Sequence, residues 1–313
     1  MSDLLTPDAG EPLVSAGSPT NLDFEITPPR VATLGPITIR RALPVRHRRM
    51  VGPWCFLDRY GPLSFAKEKP MDVAPHPHVG LQTVSWLLDG EVIHNDSLGC
   101  EGLIRPGELN LMTAGHGIAH TEETPTENTG HLSGVQLWVA LPDAQRNGAP
   151  AFHQYSSLPK FDLPGGHATL IMGEWAGNTS PATAYSPMMG AEVCVHPGQQ
   201  LTAPLRADWE HALVVLEGEV STSHQTLVLD ALHYLKPGHT ELNLKSERGA
   251  KVMLLGGAPF GETILMWWNF VARTAEEIQA ARDNWQQHRF AEVPTYKGPR
   301  TEAPELVFRP VAR

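Results

Sequence analysis

Two stretches of this 313-residue chain read as copies of one another. QTVSWLLDGEV (Gln82 to Val92) aligns without gaps with EHALVVLEGEV (Glu210 to Val220), an offset of 128 residues, and the turn RPG at Arg105 to Gly107 aligns with KPG at Lys236 to Gly238, an offset of 131. Self-similarity over that distance confines the chain to a duplicated unit. Each copy runs from an apolar strand into an acidic-residue-Gly hairpin signal, so the unit is built of strands. Gly and Pro, 28 of each, fall between short Val, Ile, Leu and Trp runs, the composition of an all-β chain with many turns. We expect an arm over residues 1–21, a first domain over 22–145 and a second over 146–313, joined near Leu141 to Pro150. One helix signal stands out late in the chain. Thr274 and Glu277 form a capping box, and Ile278, Ala281 and Trp285 make an apolar stripe at helical spacing, expected to pack on the second domain.

The first copy carries the chemistry. Its strand region opens with HPH (His76, Pro77, His78) and is followed by HTE (His120, Thr121, Glu122). Residues i and i+2 of a strand share a face, so two such strands side by side would gather three imidazoles and one carboxylate. A donor set of three nitrogens and one oxygen, without thiolate, suits iron(II), manganese, nickel, copper or zinc rather than a structural cysteine-type zinc site. A six-coordinate ion would keep two positions open. The offset of 128 places Pro204 at His76 and Arg206 at His78, so the second copy has lost its donors and one metal per chain is expected.

Other classes are disfavoured. Lys and Arg number 24 against 34 Asp and Glu, a formal net charge of −10, which argues against a broad nucleic-acid or anionic-membrane surface. The basic run Val45 to Met50 reads as a solvated loop. Cys55, Cys100 and Cys194 are odd in number and far apart, giving neither a disulfide framework nor a zinc motif. No basic leader precedes an apolar run and no run approaches membrane-spanning length, so a soluble, cytoplasmic protein is expected, and a monomer. The sequons at Asn95 and Asn178 then carry no weight. GHGIAH lacks the third glycine of a dinucleotide fingerprint.

The runs PHPHVGLQTVSWLLDGEVIHNDSLG, IRPGELNLMTAGHGIAHTEE and VQLWVALP closely resemble the pirin family of the cupin superfamily. The resemblance is most specific from Ile39 to Leu141 and continues more weakly through the second copy and LLGGAPFGE. It implies two tandem cupin barrels of jelly-roll type with metal in the first, held by His76, His78, His120 and Glu122. Gln82 stands where many pirins have Glu, and His116 where many have Arg, the latter read as a surface loop histidine. His94, Asp96 and Ser97 of the IHNDSLG turn are expected to make turn hydrogen bonds. Trp54, Phe56, Trp86 and Trp138 are candidates for the barrel wall.

Two functions follow from the resemblance. One is a quercetin 2,3-dioxygenase, in which a flavonol-like aromatic binds through its deprotonated hydroxyl and oxygen cleaves the heterocycle, with iron(II) as the expected metal and Glu122 as base. The other is a redox-sensing iron protein that binds a partner protein.

Overall fold

The structure, a computed structural model, describes residues 24–34, 37–65 and 71–306. The expected N-terminal arm lies outside the described residues. The fold is all-β, two tandem cupin-type barrels with one α-helix, Ala275–Gln286, among the described residues. The first barrel pairs a seven-stranded sheet with a four-stranded one. In spatial order the large sheet runs Ala151–Tyr155, Leu109–Thr113, Leu81–Gly90, His131–Ala140, Trp54–Ser64, Ile37–Leu43, Arg30–Leu34; the small one runs Asp72–His78, Ile118–Glu123, Val92–Asp96, Glu101–Ile104. The second barrel has an eight-stranded sheet centred on Glu210–Gly218, Ala250–Gly257 and Met188–Val195, with Gln199–Pro204 pairing Glu241–Ser246 as its smaller sheet.

The two large sheets pack against one another, which explains why the repeat strands are apolar on both faces. Along Leu81–Gly90, Val84 and Trp86 enter the inter-barrel core with Val214, Leu216, Met253 and Leu255, while Leu87 turns into its own barrel with Ile39, Tyr60 and Leu132. The copy repeats the alternation. Ala212 and Val214 face the partner barrel, Leu213 and Val215 their own. Both hairpins after these strands need a left-handed residue: Gly90 has φ 83° and Gly218 φ 76°. A Cβ on either would lie 2.1 Å or 2.3 Å from a carbonyl oxygen. Only glycine fits there. Trp54 and Trp86 pack in the core between the barrels and tie them together, donating from Nε1 to the Met189 carbonyl (3.1 Å) and to Glu192 (2.9 Å).

Strand exchange knits the two halves. Glu25–Thr27 pairs with Leu232–Leu235 of the second barrel, and Ala151–Tyr155 pairs with Leu109–Thr113 of the first. The C-terminal helix corrects an expectation. Its capping box forms as read, but its stripe of Ile278, Ala281 and Trp285 meets Trp267, Phe270 and Ala272 in a layer that includes Val79 and Ala119 of the first barrel. The Val271 amide donates to Val79, and that of Thr301 to Pro75, each at 2.9 Å. The chain from Leu265 to Leu306 therefore packs on the barrel that bears the histidines, because that barrel still has an apolar edge to cover.

The repeat needs a second correction. RPG precedes Leu109–Thr113, whereas KPG follows Leu232–Leu235. Thr83 pairs with Met112 and His211 with Leu235, so the offset here is 123 rather than 131 and the counterpart of Gly107 is Asp230. Both residues have positive φ, 84° and 60°, and both turns close alike, by the Glu108 amide on Arg105 and the Ala231 amide on Val228. The second copy is thus five residues shorter just upstream.

Candidate metal centre

The HPH strand lies at the edge of its sheet, the place where Pro75 and Pro77 cost no ladder hydrogen bond. It pairs antiparallel with Ile118–Glu123, setting His76 directly opposite His120. The register then shifts: two residues on from His120, Glu122 faces Val73, three residues back from His76. That bulge follows the point where the imidazoles meet and sets Glu122 against Val73 instead of Ala74. Ligand nitrogens of His76, His78 and His120 all lie within 4.8 Å of one another. Glu122 is not within that set. Its carboxylate is on the same strand face, next to the Ser85 hydroxyl, which lies 3.4 Å from Glu122 Oε1 and 2.8 Å from Gln136 Oε1.

All four side chains are buried, which decides their protonation. Loss of hydration lowers His76 to about 4, and it depresses His78 and His120 well below the ordinary range, with neighbouring imidazoles adding to the effect. The same loss raises Glu122 to about 7. Neutral imidazoles offer lone pairs, and their hydrogen bonds say which nitrogen carries each one. His76 Nδ1 donates to the Ala74 carbonyl at 3.0 Å, leaving Nε2 as the free base.

His120 is set by a chain of groups that a turn reading of the sequence passes over. Asp96 Oδ2 lies 3.2 Å from His94 Nε2, and His94 Nδ1 lies 3.2 Å from His120 Nδ1. A carboxylate accepts, so His94 donates from Nε2, and in its neutral form it presents a lone pair on Nδ1. His120 must then donate from Nδ1, and its Nε2 is left unprotonated, 3.1 Å from His78 Nε2. Burial alone would raise Asp96, but hydrogen bonds from His94 and from the Cys100 and Leu98 amides bring it below its ordinary value. The expected turn role is also present: Asp96 Oδ1 takes both amides and Ser97 Oγ takes the Ala119 amide at 3.1 Å. One carboxylate serves turn and relay. Phe152, from the strand contributed after the expected domain join, stacks on His94 with ring centroids 4.1 Å and planes 5° apart.

The wall beside the cluster is aromatic. Trp138 meets His78 edge-on at 5.1 Å and stacks on Phe56 at 4.0 Å. Arg41 lies over the Phe56 ring at 4.4 Å and is held by both Asp58 oxygens at 2.7 Å. Gln82 is turned away from the cluster, donating to Thr113 and to the Thr183 carbonyl. His116 is exposed on its loop and bonds the Gly148 carbonyl.

Family models for pirin and for the pirin C-terminal cupin domain match residues 37–139 and 190–291. This chain belongs to the pirin family. Among its relatives, a protein of Pseudomonas aeruginosa provisionally named a quercetin 2,3-dioxygenase is 45% identical over 278 residues, 88% of each chain. A pirin-like protein of Caulobacter vibrioides is 39% identical, over 82% of this pirin and 90% of that chain. The crystal structure of a quercetin 2,3-dioxygenase from Acinetobacter baumannii superposes with a TM-score of 0.88 at 42% identity, covering 91% of this chain and 96% of that one. No described helix is long and apolar enough to cross a membrane.

The donor set fits a divalent ion. Three buried, neutral imidazoles converge, and the two whose tautomers the hydrogen bonds fix both aim an unprotonated Nε2 at the cluster.

Proposed function

We propose that this pirin is a metal-dependent oxygenase of the quercetin 2,3-dioxygenase type, with one metal held by His76, His78, His120 and Glu122. The observation that carries the reading is the cluster of three neutral imidazoles within 4.8 Å, walled by the Phe56–Trp138 stack. The names borne by relatives at 42% and 45% identity support the substrate class. A divalent metal, iron(II) in our reading although manganese, nickel, copper or zinc also suit the donors, would supply a Lewis-acidic centre for oxygen chemistry.

The chain's own residues do the rest. Glu122, raised by burial to about 7, is matched to accept the proton of an acidic flavonol hydroxyl near neutral pH. Ser85, beside Glu122 Oε1, stabilises the carboxylate once it is charged. Trp138 and Phe56 give a flat surface for an aromatic ring, stiffened by Arg41 and Asp58. The test is oxygen uptake with quercetin by protein reconstituted with iron(II), against the same protein stripped by chelator. Metal-dependent uptake with loss of the flavonol is the expected result. No uptake at saturating metal and oxygen would move the reading to a metal-dependent protein that binds a partner.

A further inference from the structure

The second barrel holds a cavity of about 310 Å³ at the place where the first holds its histidines. Sheet register establishes the equivalence. Thr83 pairs with Trp138, which pairs with Phe56; in the copy His211 pairs with Gly256, which pairs with Met189. Trp138 has become Gly256, Phe56 has become Met189, and Thr83 has become His211. The indole is gone and an imidazole stands in part of its space, its Cδ2 2.7 Å from where a Cβ on Gly256 would be. Pro204 and Arg206, the counterparts of His76 and His78, line the cavity together with His211, Met189, Trp175 and Trp209.

His211 is the polar group at its base. It is 3% exposed; its Nδ1 is sealed off and unpaired, and its Cδ2–Nε2 edge is the one turned into the space the indole vacates, with Nε2 3.2 Å from where a Cβ on Gly256 would be. Nε2 is thus the ring nitrogen that an occupant of the cavity can reach, and a hydrogen bond to it would be made largely out of water. Burial, with His239 close by, lowers His211 to about 4, so the ring is neutral at ordinary pH. The walls are apolar and flat. Trp175 spends its indole N–H on the Pro204 carbonyl at 2.7 Å, leaving only its hydrocarbon surface for an occupant. The mouth disfavours anions: Arg206 is already paired with Asp208 at 2.8 Å, and exposed Glu174 also lines the cavity.

We propose that this cavity is a binding site for a small, uncharged aromatic bearing a hydroxyl group, separate from the histidine cluster and descended from the same chamber of the repeat. The volume matches a one- or two-ring compound at the lower end of ligand pockets, roughly 300–1,000 Å³. A hydroxyl both donates and accepts, so it pairs with Nε2 in either tautomer, whereas a carboxylate needs an N–H and meets Glu174 and Asp208. The inference does not depend on the oxygenase reading.

The probe is 2-naphthol, measured by equilibrium dialysis against the full-length protein, with naphthalene and 2-naphthoate as comparisons. Binding is expected to survive His120→Ala, to weaken about tenfold in His211→Leu, the worth of one hydrogen bond, and to stay within about threefold of wild type in His211→Gln. Naphthalene and 2-naphthoate should each bind at least about fivefold more weakly than 2-naphthol, since neither pairs with Nε2 without a penalty. Thr179→Trp, on the exposed lip and outside the core, should block entry without disturbing folding, and covers the case in which His211→Leu is unstable. Binding that disappears with His120→Ala, or that persists unchanged in both His211→Leu and Thr179→Trp, would overturn the assignment. Equal binding of naphthalene and 2-naphthol would overturn the role of the hydroxyl.

Discussion

The two barrels share a strand plan and differ in what each puts at one end. In the first, His76 and His120 sit opposite each other; in the second, Pro204, the counterpart of His76, sits opposite Glu241. The hairpin of Val92–Asp96 and Glu101–Ile104, which carries His94 and Asp96, is five residues longer than its counterpart, where a single bridge joins Ser221 and Thr226. So the copy lacks the donors and also the hairpin that orients one of them. Loss of a metal chamber here was a loss of two layers together, as expected if the outer groups serve only the inner ones. The apolar alternation toward the partner barrel survives in both copies, because it holds the molecule together whatever the chamber contains.

The largest effect should come from removing a donor. His76→Ala or His120→Ala is expected to reduce bound metal from one per chain to near zero while circular dichroism stays that of the folded barrel, since stability rests on the apolar layers rather than on the cluster. Elemental analysis of the purified protein reads this directly. Two tightly held metals per wild-type chain would break the comparison, because the second copy offers no equivalent site.

Next in size is Glu122→Gln. The variant keeps the shape and an oxygen on the same face but loses charge and basicity, so metal should be largely retained while flavonol turnover falls by roughly a hundredfold or more. Turnover equal to wild type in the metal-loaded variant would remove Glu122 from the chemistry.

How much of this was readable beforehand depends on distance along the chain. The strand rule that i and i+2 share a face was enough to assemble His76, His78 and His120, because two triplets each carry their own geometry. It did not foresee the bulge between His120 and Glu122, since register is a property of the pair of strands. Asp96 was hidden for a different reason. As a turn residue it had a sufficient local explanation, and its second task appears only once His120 is opposite Asp96 and Glu122 opposite His94. The helix was legible from its cap and stripe, but its partner was not, because an amphipathic stripe does not say which apolar edge it will cover. The matched PG tripeptides misled because two similar turns flank the same strand on opposite sides in the two copies.

Asp96→Asn tests the outer layer and should cost less than losing a donor. Asparagine keeps an oxygen for the Leu98 and Cys100 amides, so the turn should persist. It no longer fixes the His94 tautomer, and His120 loses the partner that holds its proton on Nδ1. We expect metal affinity to fall about tenfold, the lower end of such effects, measured by competition with a chelator of known affinity. Unchanged affinity would mean that packing against Phe152 alone orients His94.

The smallest effect examines the turn equivalence itself. Gly107 has φ 84° and nothing within 4 Å of where a Cβ would stand, so substitution there is limited by backbone conformation and not by crowding. Its counterpart Asp230 holds φ 60° as an aspartate, a residue type that tolerates the left-handed region, and is steadied by Arg40 at 3.3 Å and Arg59 at 3.9 Å. If the two turns are the same turn, Gly107→Asp should cost only a few tenths of a kcal/mol, whereas Gly107→Val, β-branched and ill suited to positive φ, should cost about 1–2 kcal/mol. Urea unfolding of both variants measures the difference. Equal costs for Asp and Val would show that the first barrel's turn tolerates no side chain at all, and that the second copy has rebuilt its turn rather than kept it.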